Sequence, residues 1–228
     1  MAILKWDDVG QKVYETGTSK GVLYKVDDTG KYGKGVAWNG LTAVTESPSG
    51  AESTKLWADD IKYADLTSAE EFGATIEAYT YPDEFAECDG SIEVATGVTI
   101  GQQDRKAFGF VYSTVVANDT KGNNYGEKIH LVYGCKATPS DKSYSTINDS
   151  PDAITFSWEV TTTPVPVKDH KPTACLIIDT SKMTSESDKA KLKTLTDKLY
   201  GTEGGEPTLP TPDEVIAIFA GTSAVSAS

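Results

Sequence analysis

Four segments alternate apolar and polar side chains with a period of two, and that pattern confines the chain to β-structure with a buried face on each strand. Glu71–Thr80 places Phe72, Ala74, Ile76 and Ala78 on one side. Ala107–Ala117 does the same with Phe108, Phe110, Tyr112, Thr114 and Val116, and Lys128–Thr138 with Ile129, Leu131, Tyr133, Cys135 and Ala137. In Ile154–Thr162, Ile154, Phe156, Trp158 and Val160 oppose Thr155, Ser157, Glu159 and Thr161. The core expected from these periods includes Phe72, Ile76, Phe108, Phe110, Leu131, Phe156 and Trp158.

The rest of the chain adds elements around that set. Lys12–Thr16 and Gly21–Val26 read as a strand pair joined by the turn residues Gly17-Thr18-Ser19-Lys20. Val36–Val44 and Leu56–Leu66 read as strands. Between them, Thr45–Ser53 has no apolar period, contains Pro48 and Gly50, and reads as a long exposed loop. Asp83–Cys88 suits one short helical turn behind Pro82. Pro164-Val165-Pro166 is expected to stop ladder pairing. The nearly all-apolar Ala174–Asp179 reads as a strand covered on both sides. The period then changes: Leu192, Leu195 and Leu199 are helically spaced in Ser185–Tyr200, with Thr184 or Ser185 to cap the start and Gly201 after the end. The sum is a mainly β chain, a β-sandwich with one flanking α-helix. Residues 1–12 form an N-terminal arm. Residues 13–200 form the domain, with its helix at 185–200. Residues 201–228, rich in Gly and Pro at first, form a flexible C-terminal arm.

Charge narrows function. Of a net charge of −13, most arises between Glu46 and Glu93, where thirteen acids meet only Lys55 and Lys62. Binding nucleic acid through its phosphates needs clustered Lys and Arg, and Arg105 is the single Arg. The same charge suits a surface past which DNA slides without sticking. Cys88, Cys135 and Cys175 are too far apart for a CxxC pair and read as buried thiols, and two His leave little for a metal site. Neighbouring acids such as Glu70 and Glu71 point to opposite faces of a strand and form no dyad. No GxxxxGK[ST] or GxSxG motif occurs. Asp27-Asp28-Thr29-Gly30 and Asn148-Asp149-Ser150-Pro151-Asp152 offer oxygens for calcium but lack EF-hand spacing, and read as turns. Trp6, Trp38 and Trp57 fall near arms or loops, where they suit interface anchors. No apolar run is long enough for a membrane span, and the N-terminus lacks a secretion signal, which points to folding in a cytoplasm. No catalytic group, metal or cofactor is expected.

An ordered set of short motifs carries a resemblance. Trp38-Asn39-Gly40-Leu41-Thr42 leads a strand and precedes the Glu/Ser/Gly-rich loop. Leu56-Trp57-Ala58-Asp59-Asp60 with Tyr63, Glu77-Ala78, Pro82-Asp83-Glu84-Phe85 and Asp89-Gly90 follow. Phe108-Gly109-Phe110, Val132-Tyr133-Gly134-Cys135, and Ser157-Trp158-Glu159-Val160 running into Thr162-Thr163-Pro164 complete it. In this order, from about Val13 to Val167, the chain resembles the major tail tube proteins of long-tailed, non-contractile bacteriophages.

The resemblance implies a self-assembling structural protein of the virion tail and not an enzyme. It implies a homo-oligomer of stacked hexameric rings, whose inner strands join into one shared β-barrel around a tape-measure protein. Terminator and tip proteins close the tube, and double-stranded DNA passes through it during genome ejection without specific binding and without a membrane. Assembly takes place in the host bacterial cytoplasm. On this reading Glu71 and Glu77 face the lumen, with Asp59 or Asp60 beside them. Thr45, Glu46, Ser47, Pro48, Ser49, Gly50, Ala51, Glu52 and Ser53 form a ring-stacking loop. The alternatives are a monomeric β-sandwich binding module or virion decoration protein that recognises a surface glycan, and an acidic hydrolase, which requires a cleft carboxylate of raised pKa.

Overall fold

The computed structural model of the chain describes residues 3–147, 149 and 152–221. It is mainly β. In chain order the strands are β1 (Val13–Val26), β2 (Tyr32–Trp38), β3 (Leu41–Glu46), β4 (Ser49–Gly50), β5 (Ser53–Ala58), β6 (Ile61–Thr67), β7 (Glu70–Glu71) and β8 (Gly73–Ala78). There follow β9 (Ile92–Ala95), β10 (Val98–Ile100), β11 (Phe108–Asn118), β12 (Gly122–Ala137), β13 (Phe156–Thr162), β14 (Val165–Val167), β15 (His170–Thr173) and β16 (Cys175–Asp179). Two helices, α1 (Glu186–Tyr200) and α2 (Pro212–Ala220), end the described chain. A short 3-10 turn covers Asp83–Phe85, entered from an extended Pro82.

One antiparallel sheet dominates, in the order β2-β1-β11-β12-β13-β8-β3, with β16 also bonded to β12. The long β12 serves two neighbours. Lys128–Val132 pairs with β16, and Cys135–Ala137 pairs with β13. The exchange happens at Gly134, whose φ of +59° lets the strand kink while Thr163 N–H donates to its carbonyl at 2.9 Å.

Each face of the sheet carries a core. On one face Leu23, Trp38, Ile76, Phe108, Phe110 and Trp158 pack with Phe85, and Phe72 and Phe156 flank them, partly buried. The sheet curls until Trp38 of β2 and Trp158 of β13 stand 5.5 Å apart, edge to face. Phe85 fills the centre, 4.5 Å from Trp38 and 5.2 Å from Trp158. On the other face Val22, Tyr24, Val111, Leu131 and Tyr133 meet Leu195, Leu199 and Val215 of the helices. The middle strands are therefore buried on both sides, so residues between the alternating apolar positions of β11 are covered too.

Several expectations change. Val13–Val26 forms one continuous strand and not a strand pair, because the positive φ of Gly17 and Lys20 makes bulges in β1 instead of a turn. Pairing resumes after Pro164, where β14 and β15 form a small hairpin about Asp169. β16 is covered mainly on one face, and Ile177 is exposed. Trp38 is buried in the aromatic core and cannot anchor an interface. Of the expected arm 201–228, residues 202–206 are exposed, the stretch 207–220 packs against the sheet, and 222–228 lie outside the described residues. Leu209 is buried, Tyr133 donates to the Pro210 carbonyl at 3.0 Å, and Gly35 N–H donates to the Pro207 carbonyl at 2.9 Å. Thr211 and Glu214 form a capping box that starts α2. Pro and Gly in this segment shape a fixed path across the sheet. In the N-terminal arm, Gly10 is tied to Asp119 and Asn118, while Ile3, Leu4 and Trp6 are exposed.

Candidate functional site

The segment between β3 and β8 leaves the sheet as a two-stranded ribbon. β3 pairs with β8, β4 with β7 and β5 with β6 in antiparallel succession, with short breaks between the pairs. Residues Thr45–Ser53, expected to be a loop, form part of one strand of this ribbon. The sequence shows no apolar period there because neither face is buried. Every residue from Thr45 to Glu71 except Ala64 is exposed. Gly50 and Ala51, both at positive φ, absorb an irregularity between β4 and β5, and Ala51 N–H still donates to the Ala69 carbonyl at 3.3 Å. Leu56–Leu66, expected to be one strand, folds back on itself. Asp59 and Asp60, at φ of +51° and +61°, make a two-residue turn whose twist matches the strands beside it.

Register and alternation sort the outer half of this arm into two faces. Leu56 lies opposite Ala64, Ala58 opposite Ile61 and Thr54 opposite Leu66, so Leu56, Ile61 and Leu66 share an aliphatic face. Trp57 lies opposite Lys62, and Lys55 opposite Asp65, on the other face. Leu56, Trp57, Ile61, Tyr63 and Leu66 are 41–73% exposed. A second small hairpin, β9 with β10, leaves Ile92, Val94, Val98 and Ile100 exposed as well.

The four acids expected to face a lumen do not gather within the chain. Glu77 sits on β8 between Ala43 and Ser157, on the face opposite Ile76. Glu71 sits on β7 opposite Ser49. Six residues of extended chain, ~20 Å, separate them, and ~35 Å more leads to Asp59 and Asp60 at the tip. Other acids of the central stretch are neutralised. Glu87 meets Lys25 at 2.9 Å and Lys106 at 3.1 Å, while the buried Asp89 meets Lys142 at 2.5 Å and Arg105 at 3.5 Å. Lys25 lowers the pKa of Glu87 most, burial works against it, and Lys106 adds to the lowering. The carboxyls whose pKa shifts, Asp27, Glu87, Asp179 and Glu186, all move down.

One polar cluster escaped the sequence reading because its members lie far apart in the chain. His130 Nε2 lies 3.2 Å from Thr114 Oγ1, and Nδ1 lies 3.2 Å from Glu46 Oε1. The order is that of a hydroxyl–imidazole–carboxylate triad. The chemistry differs. The Nδ1 approach to Glu46 is poorly aligned for a hydrogen bond, and Tyr112 already donates to Glu46 Oε1 at 2.6 Å. Burial pushes the His130 pKa below the usual imidazole value, and Glu46 opposes the shift. Two surface hollows lie elsewhere, one of about 390 Å³ beside Lys25, Glu84 and Lys106, another of about 360 Å³ between α1 and α2.

Among the described residues no three His, Cys, Asp or Glu converge as metal ligands. Asp27 is used in its own turn, accepting from Thr29 and Lys31. Of the second calcium candidate, Asn148, Ser150 and Pro151 lie outside the described residues. Cys88 and Cys135 are buried free thiols and Cys175 is half-buried, with burial pushing Cys88 and Cys175 up to about 12. No helix is long and apolar enough to cross a membrane among the described residues. No protein-family profile and no curated protein matches the chain.

Proposed function

We propose that the chain is a structural subunit of a phage tail tube, of the kind found in long-tailed, non-contractile phages. The carrying observation is the arm, a ribbon that its own fold leaves uncovered while it displays an aliphatic face and two large aromatics. A segment with that surface belongs against another molecule. Free sheet edges add to this. Among the described residues, the first half of β1 has β11 on one side and no strand on the other, since β2 pairs only from Gly21 onward. β16 is bonded on one side alone. Edges of this kind are completed by strands of a neighbouring copy, which in a closed ring removes them.

On this reading the sheet is a sandwich flanked by α1 and α2, and six copies close a shared barrel. The arm reaches the next ring, and a tape-measure protein occupies the bore before DNA does. Glu77 and the other acids on its face keep phosphates mobile in that bore. The role is architectural and non-catalytic, in the virion tail.

Negative-stain electron microscopy of the full chain, fresh and after concentration, tests this. The expected result is hollow rods or rings with a regular axial repeat, abolished by Ile61→Lys. Small monodisperse particles at every concentration, unchanged by that substitution, refute self-assembly through the arm and favour the binding module, with Trp57 and Tyr63 as a glycan-stacking platform. Neutralising Glu71 and Glu77 together should leave tubes intact and slow DNA ejection, and an unchanged ejection rate removes them from the lumen.

A further inference from the structure

Glu46 is the last residue of β3, where the ribbon parts from the main sheet. Its carboxylate turns back across the sheet instead of outward, and reaches β11 and β12. Tyr112 donates to Oε1 at 2.6 Å, and His130 Nδ1 stands 3.2 Å from the same oxygen. The imidazole lies flat on the Tyr112 ring, with centroids 4.5 Å apart and planes 9° from parallel. Thr114 Oγ1 holds the far ring nitrogen at 3.2 Å. Lys128, next to this group on the same strand face, is engaged by Glu15.

We propose that Glu46, Tyr112 and His130 form a latch that fixes the direction in which the arm leaves the body. Among the described residues the ribbon pairs beyond this point only with itself, so its direction is set at the root. A ribbon joined to a body by two strands can twist about that junction unless each strand is held. The returning strand is held by Phe72, which packs against the core and whose carbonyl accepts from Thr162 Oγ1 at 2.6 Å. The outgoing strand is held by Glu46. A hydrogen bond to a carboxylate is stronger than a neutral one, and the stacked imidazole limits Tyr112 to one rotamer. The latch belongs to the single subunit and stands whether or not copies stack.

Residual dipolar couplings of backbone amides, measured on the whole chain at a concentration where it is monomeric, read arm direction against the body. In the unsubstituted protein, couplings of Thr54, Lys55 and Asp65 should fit the alignment tensor of the β11–β12 amides. In Tyr112→Phe they should shrink by about half or more while the body couplings stay. Glu46→Ala, at an exposed position, should give the same loss without removing any core side chain, and Glu46→Gln, which still accepts from Tyr112, should retain most of the couplings. Arm couplings unchanged in both Tyr112→Phe and Glu46→Ala overturn the latch. Arm couplings already averaged in the unsubstituted protein overturn it too.

Discussion

Two tryptophans nineteen residues apart give opposite answers to truncation. Trp38 is 3% exposed and touches Phe85, Phe110 and Trp158. Its indole N–H donates to the Thr80 carbonyl at 2.9 Å. Truncating a buried Trp to Ala costs about 3–5 kcal/mol, and the lost hydrogen bond adds about 1 kcal/mol. Domains are stable by only about 5–15 kcal/mol, so Trp38→Ala removes a large share. Trp57 is 67% exposed and faces Lys62 across the ribbon. Cross-strand pairs contribute roughly 0.2–1 kcal/mol, which bounds its loss. With a urea slope of about 2 kcal/mol per molar, Trp38→Ala should lower the unfolding midpoint by about 2–3 M and Trp57→Ala by no more than about 0.5 M. Far-UV circular dichroism reads both without depending on indole fluorescence. The comparison is made at a concentration where the chain is monomeric. Equal midpoint losses refute the reasoning, since they require the arm to be packed onto the body.

Two further predictions concern titration and backbone. Because burial lowers the folded pKa of His130, the unfolded chain takes up that proton first, and stability is whole above pH ~6.5 and falls as pH drops from there toward the lower folded value. His130→Gln should flatten that slope between pH 5 and 7, while loss through Asp27, Glu87, Asp179 and Glu186 begins only near pH ~4 and persists in the variant. Gly134→Ala should cost at least ~3 kcal/mol in urea unfolding. It places a side chain at φ +59° and sets its Cβ 2.2 Å from the Thr163 carbonyl oxygen.

Burial decided what could be read from the sequence. The strands β8, β11, β12 and β13 show clear periods because each must hide a face, and Ile76, Phe108, Leu131 and Trp158 lie where that period puts them. The ribbon leaves little period on either side of its turn because almost nothing in it is hidden. Pairing there is set by backbone hydrogen bonds and by the positive φ of Gly50, Ala51, Asp59 and Asp60, which leave little trace in hydropathy. Segment 207–220 departs from its composition for the opposite reason. Its Gly and Pro imply mobility by composition, yet Leu209 and Val215 are buried. The Glu46, Tyr112 and His130 cluster joins three strands across 84 residues of chain, and no local spacing announces it. Trp38 stands beside the Asn39-Gly40 turn signal, which suits an interface anchor, yet its ring packs inward against Phe85.

The strand order also dictates how the chain must fold. β5 meets β6 and β11 meets β12 across turns of a few residues, so these hairpins close within microseconds. β1 has to find β11 with Val13 opposite Asn118, and β13 has to find β8 with Trp158 opposite Ile76, each across most of a domain of intervening chain. Distant pairings of this kind slow folding far more than they weaken the product, since closure entropy grows only with the logarithm of loop length. Until they form, the β11–β12 hairpin shows apolar side chains on both faces, one awaiting Trp38 and Trp158, the other awaiting α1. Refolding yield should therefore fall with protein concentration, and a newly made chain is most vulnerable after its hairpins have formed and before its helices arrive.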